Sequence, residues 1–171
     1  MRDLDRGNAM ASHSTKKPAA QDKLIVFDDD PYFGALISAT SRQYGFATHY
    51  FQSLYAMGSF SRIKAYDIAI IDVYMDSIRG DELAAYIDMF CGEIPVILVS
   101  GETLEFRSHG SVWPPSVRAF LPKSVGAHQI LAAARATLQR NRLLKRLATG
   151  EAPHDFIGLK DLAQVAPGGT V

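Results

Sequence analysis

Five short apolar, β-branched runs punctuate the middle of this chain, and that alternation limits its fold more than any other feature. They are LIVF (24–27), ATHYF (47–51), DIAIID (67–72), IPVILVS (94–100) and VRAFLP (117–122). The stretches between them carry apolar residues at helical spacing: Phe33, Leu36, Ile37 and Tyr44 in the first, Leu54, Met57 and Phe60 in the second, Leu83, Ile87 and Phe90 in the third. Strand and helix alternating in this way predict an α/β fold, a doubly wound five-stranded parallel sheet with helices on both faces. The third and fourth runs are apolar almost throughout, as central strands covered on both sides should be.

The chain has 171 residues, 47% of them hydrophobic, which is enough for one well-filled core. The predicted organisation is a disordered lead over 1–22, a folded domain over 23–148 and a tail over 149–171. The lead is small, polar and charged without a period. After Lys123 a long helix is expected, with Ile130, Leu131, Ala134 and Leu138 facing the core and Gly150 as its stop. Eighteen basic residues balance eighteen acidic ones, so overall charge points to neither nucleic acid nor a membrane surface. One cysteine, Cys91, and the lack of a secretion-type apolar run predict a reducing, cytoplasmic setting. The basic end of the last helix reads as a solvated terminus. Its Leu143, Leu144 and Leu147 allow a homodimer.

In an open parallel sheet, ligands gather at the carboxyl ends of the strands. Here the first strand ends in Asp28, Asp29 and Asp30, the third in Asp72, the fourth in Ser100 and Gly101, and the fifth runs into Lys123. Carboxylates brought together repel unless a cation is bound or one holds a proton. Mg²⁺ resolves the conflict, because it takes one or two protein carboxylates and fills its other positions with waters and phosphate oxygens. A lysine and a hydroxyl beside it suit a phosphoryl group. Asp72, set apart from the acidic cluster, is then the nucleophile. Asp30, just before Pro31, reads as a helix cap.

These pieces resemble the receiver domain of bacterial two-component response regulators. LIVFDDDP, DIAIIDVYM followed by Gly80, VILVSGE and AFLPKS stand in the family's order across residues 23 to 140. The resemblance implies the flavodoxin-like (βα)5 fold and a phosphoryl group accepted by Asp72 from a phosphohistidine on a sensor histidine kinase or histidine phosphotransfer protein. It implies Mg²⁺ held by Asp29, Asp72 and the main-chain carbonyl of Tyr74, with Asp28 completing the acidic pair. Ser100 is then the switch hydroxyl, Gly101 a phosphate N–H donor, Lys123 the conserved-type lysine and Phe120 the aromatic switch. Tyr74 and Glu102 occupy the positions that tune dephosphorylation. Phosphorylation would draw Ser100 and Lys123 inward, let Phe120 turn, and change a face read by a downstream protein target.

The sequence departs from that pattern in places. Asp76 stands where the family usually has proline, and Pro122 precedes Lys123 where the family has proline after it. The stretch ETLEFRSHGSVWPPSVR contains Pro114 and Pro115, which do not fit inside a helix, so an atypical fourth helix is expected. The leading expectation is a single-domain response regulator rather than an enzyme in the ordinary sense, with no nucleic-acid or membrane partner. A pseudo-receiver that binds partners without phosphorylation is the alternative. Asp28 and Asp30 have the D-x-D spacing of haloacid-dehalogenase-type phosphatases, but Pro31 and Tyr32 replace the expected continuation.

Overall fold

The computed structural model describes residues 21–92, 94–101 and 113–150. Its strands are β1 (Asp22–Phe27), β2 (Phe46–Phe51), β3 (Ile68–Asp72), β4 (Val96–Ser100) and β5 (Val117–Pro122), and its α-helices are α1 (Pro31–Ser41), α2 (Gly80–Cys91) and α3 (Ala127–Ala148). All strand pairs are parallel and the order is β2-β1-β3-β4-β5. The doubly wound sheet is therefore as expected. The chain runs from β1 to β2 on one side and then crosses back to β3 on the other, so the switch point lies between the ends of β1 and β3.

Strand alternation splits the core in two. Leu24, Val26, Ile68, Ile70, Ile97 and Val99 face α1 and α3, and Phe33, Ile37, Ile130, Leu131, Ala134 and Leu138 pack onto them. Ile25, Phe27, Ala69, Ile71, Val96 and Leu98 face the other way, under Leu83, Ala84 and Ile87 of α2. β3 and β4 are buried along their whole length, which explains why their sequences show no polar alternation.

The helical stripes differ from expectation in three places. The segment between β2 and β3 is not an α-helix but two 3₁₀ turns, Tyr55–Met57 and Phe60–Ala65. Gly58, at φ 82°, breaks the run between them, a conformation side chains resist. Met57 and Ile63 are still buried, with Leu54 and Phe60 packed beside them. Leu36 is 52% exposed and Phe90 56% exposed. Phe90 instead meets the rings of Tyr86 and Phe60 on the surface.

The last helix follows the predicted stripe. Thr149 caps it, donating its N–H to the Lys145 carbonyl, and Gly150 follows at φ 75°. Leu143, Leu144 and Leu147 are exposed beyond Leu138, the last buried residue of α3. The expected atypical fourth helix concerns residues 102–112, which lie outside the described residues, as do 1–20 and 151–171 of the two tails. No described helix is long and apolar enough to cross a membrane.

Candidate functional site

The end of β1 delivers two carboxylates through tight local turns. Asp28 is fully buried, and its Oδ1 accepts the Asp30 N–H at 3.0 Å. Asp30 in turn caps α1, with Oδ1 accepting the Tyr32 N–H at 2.9 Å and Pro31 opening the helix. Asp30 is thus spent on the helix, as its sequence context predicts, while Asp29 stays half-buried at the site. Across the switch point, Asp72 ends β3 at 4% exposure and its Oδ1 accepts the Tyr74 N–H at 3.3 Å.

Lys123, just past β5, reaches over β4 to both carboxylates. Its Nζ donates to Asp72 Oδ2 at 2.8 Å and to Asp28 Oδ1 at 2.9 Å. It lies 2.8 Å from Asp28 Oδ2 as well, without hydrogen-bond alignment, so that buried oxygen has no hydrogen-bond partner. The ammonium also stands 4.8 Å from the centroid of the Phe33 ring. The contact with Phe33 is not readable from sequence, where Phe33 is only a core-facing residue of α1.

The electrostatics follow from this crowding. Burial, and then the neighbouring charge of Asp72, push the Asp28 carboxyl up to about 6, against the hydrogen bonds from Lys123 and Asp30. Burial pulls the Lys123 ammonium down, but its bonds to Asp28 and Asp72 outweigh that and hold it above the usual lysine range. One carboxylate oxygen from each of Asp28, Asp29 and Asp72 falls within 4.8 Å of the others. Three hard oxygen donors fit a small divalent cation better than a second ammonium, and Asp28 Oδ2 has no hydrogen-bond partner.

The remaining predicted residues stand at or beyond the neighbouring strand ends or along β5. Ser100 ends β4, buried, beside Pro122 in the sheet register, and Gly101 follows, exposed. Tyr74 is 43% exposed, forms a backbone bridge with Arg79, and lies under the Arg79 guanidinium at 5.6 Å. That bridge folds the chain back so that Gly80, the first residue of α2, donates its N–H to the Val73 carbonyl at 2.9 Å. A Cβ on Gly80 would collide with the Asp72 carbonyl oxygen. Phe120 lies within β5, half-buried, and the Trp113 ring meets it at a tilt with ring centroids 5.9 Å apart. Glu102 lies outside the described residues.

Residues 24–135 match the family described as the response regulator receiver domain. The chain belongs to that family. Solved structures with this fold include a CheY-like receiver domain protein from Methanospirillum hungatei JF-1, at 16% identity and TM-score 0.61, covering 71% of this chain and 97% of that one. A receiver domain protein from Clostridium thermocellum gives 20% identity and TM-score 0.59, over 72% and 98% of the two chains. NtrX from Brucella abortus, solved in complex with ADP, gives 18% identity and TM-score 0.66 over 84% of this chain and 33% of that longer one. No curated protein matches the sequence. The receiver is therefore a member of a signalling family, and the Asp28, Asp29, Asp72 and Lys123 constellation sits at the strand ends where the sheet order reverses.

Proposed function

We propose that this receiver is a response regulator that takes a phosphoryl group onto Asp72 from the phosphohistidine of a sensor histidine kinase or phosphotransfer protein, and so switches its binding to a downstream protein. The observation that carries the reading is the Lys123 ammonium shared between Asp28 and Asp72, with Asp29 beside them. An Asp72 carboxylate oxygen attacks phosphorus, the P–N bond breaks, and its electron pair leaves with the imidazole. Lys123, already on Asp72, neutralises charge on the phosphoryl oxygens, and Ser100 and the Gly101 N–H supply hydrogen bonds from the end of β4.

Asp29, Asp72 and the Tyr74 carbonyl would hold Mg²⁺, with Asp28 completing the acidic set. When bound, the ion draws charge from the transferring phosphoryl group. Phe120 would relay the change along β5. The working unit spans about 23–148, with 1–22 and 149–171 as flanks, in a bacterial cytoplasm. Homodimerisation through Leu143, Leu144 and Leu147 is compatible with their exposure.

The test is labelling with phosphoramidate or acetyl phosphate, read by intact mass. The expected result is a phosphate-sized gain that requires Mg²⁺ and is lost in Asp72→Asn. A wild type that never takes label would favour a pseudo-receiver that binds its partners unmodified.

A further inference from the structure

We infer that Trp113 is a positioning residue for Phe120, holding its ring where the unphosphorylated receiver keeps it and registering at its indole the loading of Asp72. This inference rests on the phosphoacceptor reading above and adds to it a residue outside the phosphorylation site.

Trp113 is the only tryptophan in the chain. Its ring and that of Phe120 lie 5.9 Å apart at 32°, a tilted contact within the separation aromatic pairs favour. Both rings pack against the layer of the core that contains Val96 and Leu98. Phe120 reaches that layer because the β4 to β5 register slips between Val96 and Ile97, placing Val117 and Phe120 on the side of α2.

Trp113 is also held from the other direction. Ser116 is buried, donating its N–H to Asp88 Oδ2 at 3.1 Å and its hydroxyl to the Ala84 carbonyl at 3.4 Å, both on α2. The Val117 N–H closes a turn onto the Pro114 carbonyl at 2.9 Å. Pro114 and Pro115 fix their own φ, so the link from Trp113 to this anchor is stiff. An indole on a stiff, anchored link resists displacement, so a Phe120 ring that turns must part from it.

The path to the site is short. Phe120 is paired with Leu98 and lies three residues before Lys123, and Pro122 is paired with Ser100. Any inward shift of Ser100 and Lys123 is thus a shift of the two strand ends beside which Phe120 sits. Trp113 is half-buried, so part of its surface faces solvent. A change in the contact therefore changes what the protein presents outside.

The experiment labels the full chain with phosphoramidate and Mg²⁺, following intact mass and tryptophan emission in the same samples. Wild type should gain phosphate with a matching shift in emission. Phe120→Leu should take label but lose the emission response. Trp113→Leu should take label roughly two- to tenfold faster, because the ring is released before phosphorylation, and Trp113→Phe should return toward the wild-type rate. Full labelling with unchanged emission, a response that survives Phe120→Leu, or a Trp113→Leu rate equal to wild type would each overturn the coupling while leaving the phosphoacceptor reading intact. If wild type takes no label, both readings fall together.

Discussion

Gly80 stands where α2 begins against the end of β3, and its lack of a side chain is what lets the strand that ends in Asp72 and the helix meet. A methyl group there would press on the backbone oxygen of Asp72, which the sheet holds in place, rather than on a flexible side chain that could give. Gly80→Ala is expected to cost about 1–3 kcal/mol in folding stability, as overpacking does, and to slow Asp72 labelling beyond what the stability loss explains. Denaturant melts and labelling rates on the same variant check both parts; normal labelling would show that the site tolerates the shift. Tyr74, two residues past Asp72, acts through bulk instead. Its ring is braced by Arg79, which itself pairs with Asp81. If Asp72 carries the phosphoryl group as proposed, a braced ring two residues away would obstruct the in-line approach of water, and the phosphorylated protein is then expected to be long-lived. Tyr74→Ala should hydrolyse several-fold faster, on the order of the gain that follows freeing a near-attack geometry. Decay of the phosphate mass after donor removal measures it, and a wild-type half-life of seconds would count against the obstruction.

At the scale of elements, the last helix shows how a long segment is tied to a short sheet. Asp22, the first residue of β1, accepts hydrogen bonds from Arg135 and Arg142 of α3, and Arg142 also reaches Asp67, at the entry to β3. Burial raises the Asp22 carboxyl, but the two guanidinium hydrogen bonds outweigh it and leave it below the ordinary aspartate range. A depressed folded-state value means that Asp22 stabilises the fold above its unfolded value of about 3.9, and that this contribution is lost as pH falls through the folded one. Asp22→Asn is therefore expected to cost about 1 kcal/mol at pH 7, with the difference from wild type shrinking below pH 4. Denaturation of the two proteins across that range is the check; a pH-independent difference would mean the loss is packing rather than charge. Such ties explain why parts of the elements were not legible in the sequence. The periodic stripe gives a helix and its apolar face, yet not the rotation by which Arg135 seats α3 or by which Leu36 turns outward on α1. The 3₁₀ turns before β3 share the apolar spacing of an α-helix, and Gly58, at φ 82°, interrupts the run between them.

At the scale of the molecule, the sheet order converts separate strand ends into one site. Asp28, Asp72 and Lys123, which converge in the structure, span 28 to 123 in the sequence, and their meeting was legible because polar groups at the ends of otherwise apolar runs have few other uses there. What the sequence does not contain is the balance of forces once they meet: a lysine shared by two carboxylates and a buried Asp28 oxygen without a hydrogen-bond partner. That balance makes a final prediction. Asp28, Asp29 and Asp72 crowd like charge, with Lys123 bonded to Asp28 and Asp72, and a cation that binds only the folded state raises stability by RT ln(1 + [L]/Kd), about 2.7 kcal/mol at a hundredfold excess over Kd. Mg²⁺ is expected to raise the melting temperature of wild type in a saturable way that excess chelator reverses. Asp28→Asn removes the deepest of the charges while leaving Lys123 its bond to Asp72, so the metal-free variant should be more stable than wild type by about 1 kcal/mol. Its response to Mg²⁺ should fall at the same time. Thermal melts of both proteins across a Mg²⁺ titration decide the matter: equal shifts in the two would remove Asp28 from the cation site, whereas opposite changes in starting stability and in Mg²⁺ response would show that the same charge that weakens the empty site is the one that recruits the ion.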